Sequence, residues 1–233
     1  MIGIIWAILR LPETPPPKFY TWTTGAKRFV VKINYQGRFG NNLFQFAAAK
    51  IVADRFNLNI ENPLVQSILP HENIFQPDSG DDISLNGFFQ TPTVVGEFGS
   101  LNFAPIEEKE GTFVHVRLGD LLESHSQSGN RFASADYYRK ALTGTGSGYI
   151  SSDSLDNPII KELCAEFNLQ LYQDSPENTI KFGAAFSKKV LSLGTFSWWI
   201  GFLGNQNNVI CPNPLDFPRW HGNIFPRQGW NIC

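Results

Sequence analysis

The sequence predicts an α/β fold in which helices cover parallel β-sheets, and two observations lead to this class. In the second half of the chain, short apolar runs alternate with segments of helical spacing, which is typical of a parallel sheet covered by helices. In the first half, the apolar run 29–34 is followed by a polar loop and by a helical pattern that extends to residue 57. We therefore expect strand–loop–helix units in both halves.

The first helix is expected to begin at Asn41 and Asn42, because asparagine is a favoured N-cap residue and no Gly or Pro follows it up to residue 57. The segment 83–90 predicts the end of a strand. The composition of 91–111, which contains Pro, Gly and a Glu/Lys run, is typical of a linker. The apolar positions that give the first helix its spacing are Leu43, Phe46, Ala47 and Ile51.

Turn residues divide the second half of the chain into successive strands and helices. A Gly-rich turn occupies 144–148, and Pro158 stands at the first position of a helical segment, where proline is favoured. The predicted strands are 112–117, 149–152, 169–172, 190–193 and 208–211, and the predicted helices are 136–142, 158–167, 176–186 and 197–203.

Composition and charge exclude several classes of function. The formal net charge is -2 and no Lys/Arg run occurs, which argues against a nucleic-acid-binding protein. Hydrophobic residues make up 42% and charged residues 17% of the chain, which predicts a buried core. The apolar segment Ile2–Leu9 is far shorter than the roughly 20 residues of a membrane helix, and no basic segment precedes it. We therefore expect no membrane span and a soluble, cytoplasmic protein.

The remaining chemistry-bearing residue types predict neither a disulfide framework nor a metal site. The 3 cysteines are scattered without the spacing of either, which favours reduced thiols. His71, His125 and His221 show no ligand-like spacing to one another or to the cysteines. Residues 1–27 contain the proline-rich segment Pro12–Pro17, which cannot be helical, so we expect an N-terminal extension.

The segment His115–Asp120 is the most informative in the chain. The apolar run 112–114 precedes it, so the pattern predicts a buried strand that ends in a loop with an imidazole, a guanidinium and a carboxylate. His115 and Arg117 lie two residues apart on a strand and therefore point to the same face. Two cation-capable groups side by side indicate an anionic partner, and the planar fork of an arginine suits a phosphate. A structural salt bridge to Asp120 is the alternative.

Polar loops also follow other predicted strands. Gly37–Asn42 precedes the first helix, where free amides and the helix dipole form an anion site, with a tight N-capped turn as the alternative. Asp153 is suited to a ribose hydroxyl or a base edge, with the N-cap of helix 158–167 as the alternative. Gly194–Ser197 offers hydroxyls and amides to phosphate oxygens. Because the carboxyl ends of parallel strands lie at one edge, we expect the loops that follow parallel strands to converge.

These motifs resemble, in the same order, those of the α-1,2-fucosyltransferases, and more loosely those of the protein O- and α-1,6-fucosyltransferases. The resemblance extends over most of residues 29–232, and the order and spacing of the motifs make it specific. Leu118 departs from the pattern, because many family members have a second Arg there. The similar segments are Gly37–Ala49 (Gly-Arg-Leu-Gly-Asn-Gln-Leu-Phe-Gln-Tyr-Ala in the family), Gly87–Gln90 (Gly-Tyr-Phe-Gln), His115–Asp120 (His-x-Arg-Arg-Gly-Asp), Asp136–Ala141 (a Tyr-Tyr segment), Ser151–Asp153 (Ser-Asp-Asp) and Gly194–Trp199 (Ser-Ser-Phe-Ser-Trp-Trp).

The resemblance implies a GT-B type fold, with two Rossmann-like lobes and a cleft between them that binds GDP-fucose. An acceptor-side lobe would cover 28–105 and a GDP-sugar-binding lobe 106–215, flanked by the extension 1–27 and a C-terminal arm over 216–233. The implied reaction is an inverting, metal-independent transfer of fucose to a hydroxyl of a glycan acceptor, most simply a galactoside. No cofactor besides the donor substrate is implied.

The resemblance also implies roles for single residues. Arg117 would hold the β-phosphate and stabilise the GDP leaving group, and His115 and Asp153 would contact the nucleoside. By nearness to Arg117 we prefer Asp120 as the base that accepts the acceptor's proton, with Glu123 and His125 as alternatives. A catalytically silent homologue that binds glycan or nucleotide is the alternative to an enzyme, whereas the missing Gly-x-Gly-x-x-Gly motif disfavours an oxidoreductase. The other donor-binding residues are Arg38, Gly40, Asn41, Ser152, Thr195, Phe196 and Ser197.

Overall fold

The computed structural model describes residues 20–21, 28–72, 81–123, 132–214, 224–225 and 227–233. The chain divides into two compact units, the first made of Met1–Ala104 with Gly222–Ile224 and the second of Pro105–His221 with Phe225–Cys233. Each unit contains its own sheet, in which most strand pairs are parallel, together with helices. The predicted α/β class with parallel sheets is therefore confirmed.

The first unit contains a small mixed sheet with the strand order β1-β4-β2-β3. Strand β2 pairs in parallel with both β3 and β4, whereas β1 pairs antiparallel with β4. Strand β1 lies inside the predicted extension 1–27, whose other residues are outside the described part of the chain. The elements are β1 (Tyr20–Thr21), β2 (Arg28–Ile33), α1 (Phe39–Phe56), β3 (Asn59–Ile60), β4 (Asp81–Leu85), α2 (Pro92–Glu97) and a 3-10 helix (Phe98–Ser100).

Helix α1 begins earlier than predicted. Its N-cap residue is Arg38, and the amides of Asn41 and Asn42 both donate to the Arg38 carbonyl, so the two asparagines lie inside the first turn. The prediction of an asparagine N-cap is therefore wrong, because Gly37 (φ +77°) already turns the chain into the helix. Asn57, in the left-handed conformation, ends the helix. The apolar positions Leu43, Phe46, Ala47 and Ile51 are all buried, as their spacing predicts.

The predicted linker 91–111 contains helix α2, which the sequence interpretation missed. Thr91 is its N-cap, with a hydroxyl oxygen that accepts a hydrogen bond from the Val94 amide at 3.3 Å, and Pro92 occupies the first turn. A threonine followed by a proline is a recognised signal for a helix start. The helix is only 6 residues long, which is too short for a periodic apolar pattern.

The second unit contains a 6-stranded sheet in which every strand pair is parallel, with the order β10-β9-β8-β5-β6-β7. The chain runs outward from β5 to β7 and then returns to β8 on the other side of β5. This order is compatible with a Rossmann-like fold, and its switch point lies between β5 and β8. The elements are β5 (Lys109–Val116), α3 (Gly119–Glu123), α4 (Ala135–Leu142), β6 (Gly148–Ser152), α5 (Pro158–Phe167), β7 (Leu169–Leu171), α6 (Pro176–Ala184), β8 (Phe186–Val190), α7 (Thr195–Phe202), β9 (Val209–Cys211) and β10 (Asn231–Ile232).

Both faces of this sheet are covered by helices, as a parallel sheet requires. Val114 and Ile150 face α4 and α5, and the shared core there contains the fully buried Tyr138 and Leu163. On the opposite face, Phe113 packs against aromatic side chains that include Phe182 of α6. Trp198 and Trp199 of α7 are fully buried and belong to the core.

Strand β8 lies at Phe186–Val190, not at the predicted 190–193, and helix α6 ends at Ala184 rather than at residue 186. The error follows from the polar sequence of the strand, which contains two lysines. Lys189 is completely buried and its ammonium donates to the backbone carbonyl of Asn205. A buried lysine with a dedicated acceptor leaves no apolar signal in the sequence. Residues 191–194 consequently form the loop that follows β8.

None of the helices in the described ranges has both the length and the apolar character to cross a bilayer.

Of the predicted C-terminal arm 216–233, residues 216–223 and 226 lie outside the described part, and residues 231–232 form the edge strand β10.

Candidate functional site

The loops after β5, β6 and β8 lie side by side at one edge of the second unit's sheet. Strand β5 pairs in parallel with both β6 and β8, so the three carboxyl ends share this edge. The predicted convergence of the polar loops after strands therefore holds within this unit. The edge includes the switch point between β5 and β8, and open α/β sheets bind their ligands at such points.

Arg117 follows β5 directly, and its guanidinium lies against Gly194 in the loop after β8. A Cβ atom at Gly194 would lie 2.8 Å from Nη1 of Arg117, so a side chain at this position would displace the guanidinium. Nη2 lies 3.5 Å from Oδ1 of Asp120, and the two side chains are 26% and 55% exposed. The buried Nε has no hydrogen-bond partner among the described residues. The predicted salt bridge is thus present, but it is long and half-exposed and leaves the guanidinium with donor capacity.

The N-terminus of helix α7 lies beside this guanidinium. Its N-cap residue is Gly194, with a backbone φ of +125°, so the N-cap residue has no side chain to cap the helix, and no acidic residue lies in the first turn. The first amides of a helix point outward along its axis and carry a partial positive charge. Thr195, Phe196 and Ser197 form the first turn of α7. The charge of Arg117 and the helix dipole therefore act at the same place.

His115 is buried on β5 beside this turn. Its Nδ1 lies 2.5 Å from Oγ of Ser197, and its ring is tilted against Phe196 with 5.0 Å between the ring centroids. Burial lowers the pKa of His115 to about 4; Asp153 opposes this shift, and Arg117 adds to it. The imidazole is therefore neutral near pH 7. Of the two cation-capable groups on this face, Arg117 alone carries a positive charge at that pH.

Ser192 is a buried member of the site that the sequence interpretation missed. Its hydroxyl lies 3.2 Å from Oγ of Ser197 and donates to the Leu193 carbonyl at 3.0 Å. The signal in the sequence was a single polar residue within the apolar run 190–193. That run was interpreted as a strand, which hid the loop position of Ser192.

Asp153 organises the loop after β5. Its Oδ1 accepts hydrogen bonds from the amides of Leu118 and Gly119, at 2.8 and 3.1 Å. A Cβ atom at Gly119 would lie 2.5 Å from Oδ2, so the glycine is needed for this contact. The alternative prediction, that Asp153 caps helix 158–167, is wrong, because Asn157 caps that helix through the Ile159 amide.

Two neighbours of Asp153 have structural contacts of their own. The Ser152 hydroxyl accepts a hydrogen bond from the Ser154 amide at 3.0 Å and shapes the turn after β6. Leu118, where the fucosyltransferase motif has a second Arg, is completely buried in the core with Val114 and Tyr138. A charged side chain at this position would have to leave that core.

In the first unit, the loops that follow β2 and β4 are tied together by Gln45 of α1. The Gln45 side chain is buried; its amide nitrogen donates to the Gly87 carbonyl at 2.9 Å, and its oxygen accepts from the Gln36 amide at 3.1 Å. Gln90 also donates to the side chain of Asn41, at 3.0 Å. The segments Gly37–Asn42 and Gly87–Gln90, which belong to separate motifs, are therefore adjacent. Of the predicted donor-binding residues here, Arg38 precedes α1, and Gly40 and Asn41 lie in its first turn.

The remaining site predictions concern the base and a metal. Asp120 is exposed at the start of α3, whereas His125 and the side chain of Glu123 lie outside the described residues. Within the described ranges, no group of three or more His, Cys, Asp or Glu side chains is arranged to hold a metal ion.

The chain was also compared with known proteins. No protein-family model, no curated protein and no solved structure gives a significant match.

Proposed function

We propose that this protein is an inverting, metal-independent fucosyltransferase that moves fucose from GDP-fucose to a hydroxyl of a glycan acceptor. The observation that carries the proposal is the packing of Arg117 against Gly194 at the N-terminus of α7. In this proposal the two units are the two Rossmann-like lobes of a GT-B enzyme, and the second unit binds the donor nucleotide. The resemblance of the motifs to the α-1,2-fucosyltransferases supports this donor and favours a galactoside acceptor.

The electrostatics at the carboxyl edge of the second unit's sheet suit a diphosphate leaving group. When the bond between fucose and GDP breaks, negative charge accumulates on the β-phosphate, and the barrier falls if positive charge is already in place there. Arg117 supplies a full charge, and the N-terminus of α7, whose N-cap residue is a glycine, supplies partial charges from the amides of Thr195, Phe196 and Ser197. These groups could stabilise the leaving group without a metal ion.

The other predicted residues complete the proposed site. Asp120, an exposed carboxylate 3.5 Å from the guanidinium of Arg117, would accept the proton of the acceptor hydroxyl. Asp153 and Ser152 would contact the nucleoside from the loop after β6.

Binding and turnover of wild type and Arg117 variants test this proposal. GDP-fucose and GDP should raise the melting temperature of the full chain, and UDP-sugars should not, because a ligand that binds the folded state stabilises it. Arg117→Ala should weaken GDP binding about a hundredfold, the expected loss for charge-assisted hydrogen bonds. Arg117→Lys should recover only part of the lost GDP affinity, because an ammonium lacks the planar fork of a guanidinium. GDP release in the presence of galactoside acceptors should disappear with Arg117→Ala.

Arg139→Ala is the matched control, because Arg139 is an arginine of the same unit that pairs with surface carboxylates on α4 and α5. This variant should bind GDP like wild type. Stabilisation by UDP-sugars without stabilisation by GDP would contradict the donor assignment, and unchanged turnover of Arg117→Ala would contradict the mechanism.

A catalytically silent nucleotide- or glycan-binding protein is the second candidate, and the burial of Leu118 favours it. Family members with a second Arg at this position have more positive charge near the diphosphate, whereas this chain places a core side chain there. The silent protein would bind GDP with the same dependence on Arg117 but release no GDP from GDP-fucose with any acceptor. The turnover measurement therefore separates the two candidates.

A further inference from the structure

A chain of buried polar groups connects His115 to the loop after β8. Nδ1 of His115 lies 2.5 Å from Oγ of Ser197, which lies 3.2 Å from Oγ of Ser192. The Ser192 hydroxyl in turn lies 3.0 Å from the carbonyl oxygen of Leu193. Both serine side chains are almost completely buried, so the chain is shielded from solvent. The direction of its hydrogen bonds decides which nitrogen of His115 carries the proton.

The last member of the chain determines this direction. A carbonyl oxygen can only accept, so Ser192 donates its one hydroxyl proton to Leu193. Ser197 must then donate to Ser192, and its remaining lone pairs accept the proton on Nδ1 of His115. The opposite direction would leave the buried Leu193 carbonyl without this donor, which is unfavourable.

Tyr138 is a further polar neighbour of Ser192. Burial raises the pKa of the Tyr138 hydroxyl, and a side-chain interaction with Ser192 opposes this rise. The hydroxyl does not reach hydrogen-bond geometry with any described residue, so the direction of the chain does not depend on it.

We propose that Ser192 and Ser197 are positioning residues that hold His115 with its proton on Nδ1, so that Nε2 accepts a hydrogen bond from a ribose hydroxyl of the bound nucleotide. This inference rests on the proposed function for the identity of the ligand, but the position of the proton does not. Within the described residues, Nδ1 is the ring nitrogen that makes a hydrogen bond. Nε2 then carries no proton and can accept a hydrogen bond.

Because Nε2 carries no proton, it can form a hydrogen bond only with a donor group of the nucleotide. The diphosphate oxygens of a nucleotide sugar such as GDP-fucose carry no proton near neutral pH and cannot donate to an unprotonated nitrogen, so His115 does not hold the phosphate. The hydroxyls of the ribose are the donors nearest to a diphosphate in a nucleotide. The Ser197 hydroxyl is already bonded on both sides, so it acts through His115 rather than on a phosphate oxygen.

The position of the proton can be measured without any ligand. Nitrogen NMR of the full chain labelled with ¹⁵N-histidine distinguishes the two neutral forms of an imidazole, and the signals of His115 among the 4 histidines are assigned with His115→Gln. We expect the Nδ1-protonated form at neutral pH in wild type. Ser192→Ala and Ser197→Ala should each shift the population toward the Nε2-protonated form. An Nε2-protonated His115 in wild type would overturn the inference.

Ser187→Ala is the matched control, because Ser187 lies on β8, the strand that precedes the loop of Ser192, and also bonds the backbone, at Gly111. It should leave the His115 signals unchanged. If it changed them as strongly as Ser192→Ala, the effect would be a general loss of packing and the positioning role would be wrong.

Nucleotide binding supplies the second measurement. Wild type should bind GDP about tenfold more tightly than GDP that lacks the 2′ or the 3′ hydroxyl, the size expected for one lost hydrogen bond. In Ser192→Ala this preference should fall, because a proton on Nε2 removes the acceptor. If both deoxy forms bind as GDP does, the ribose contact is wrong. If GDP itself does not bind while His115 keeps its proton on Nδ1, the proposed function fails and the positioning role stands.

Discussion

Gly194 and Arg117 are packed so closely that a Cβ atom on the glycine would lie 2.8 Å from a guanidinium nitrogen. The glycine also has a backbone φ of +125°, a conformation that side-chain-bearing residues rarely adopt. One residue therefore leaves room for the guanidinium and begins helix α7 without a side-chain cap. Glycine meets a steric and a conformational requirement at the same position.

Replacement of Gly194 by alanine should disturb both stability and nucleotide binding. The positive φ strains an alanine, and its methyl group would push the Arg117 guanidinium away from the end of α7. We expect the free energy of unfolding to fall by about 2 kcal/mol and GDP affinity to fall at least about tenfold. Urea unfolding and isothermal titration calorimetry measure the two effects.

Gly144→Ala provides the control for backbone strain alone. Gly144 also has a positive φ, +71°, but a Cβ atom there would have no neighbour within 4 Å. This variant should lose stability and bind GDP like wild type. If Gly194→Ala bound GDP equally well, the placement of Arg117 would not depend on the glycine.

Truncation of Asp153 should loosen the loop that follows β5. Asp153→Ala removes the acceptor for the Leu118 and Gly119 amides, and we expect a loss of about 1 kcal/mol in unfolding free energy, because the site is partly exposed. Asp153→Asn keeps an acceptor oxygen and should recover much of this loss. Asp156→Ala, at an exposed aspartate in the same loop, should have little effect. Equal stability of all three variants in urea would contradict the capping role.

Stability should depend on pH through His115. Burial holds its folded-state pKa at about 4, below the ordinary value of 6.5, so the unfolded chain takes up a proton in this interval before the folded protein does. The neutral imidazole therefore contributes about 3 kcal/mol to the free energy of unfolding above pH 6.5. This contribution is lost as the pH falls from 6.5 toward 4. Urea unfolding of wild type across this interval measures the slope.

His115→Asn removes the titrating group while its amide can still reach Ser197. The variant should lose the part of the slope that belongs to His115, so the difference in stability between wild type and variant should shrink as the solution is acidified. A difference that stays constant from pH 6.5 to 4 would show that the imidazole titrates normally in the folded protein.

The adjacent tyrosines of α4 make a matched pair for measuring one buried hydrogen-bond network. The Tyr137 hydroxyl donates to the Leu191 carbonyl at 2.7 Å and lies 3.2 Å from the Ile210 carbonyl, whereas the Tyr138 hydroxyl has no such partner among the described residues. Tyr137→Phe should cost about 1–2 kcal/mol, and Tyr138→Phe clearly less. Thermal unfolding of both variants compares them. A larger loss for Tyr138→Phe would contradict the assignment of partners.

Local sequence patterns were sufficient to predict most helices and strands. They were insufficient where a polar residue is buried in the core. Helix α5 was predicted with the bounds that the structure has, because Pro158 marks its start and an apolar stripe follows. Strand β8 was misplaced, because Lys189 lies in the core with its ammonium bonded to a backbone carbonyl. The sequence alone cannot distinguish such a lysine from a solvated one.

The sequence by itself determined the α/β class and the positions of polar residues at the ends of strands, because turn residues and apolar runs act on their near neighbours in the chain. Only the tertiary structure decided which of these residues meet. The return of the chain from β7 to β8 brings Gly194 to Arg117 and Ser197 to His115. It also makes His115 neutral, because the loss of hydration that lowers its pKa comes from segments distant in sequence.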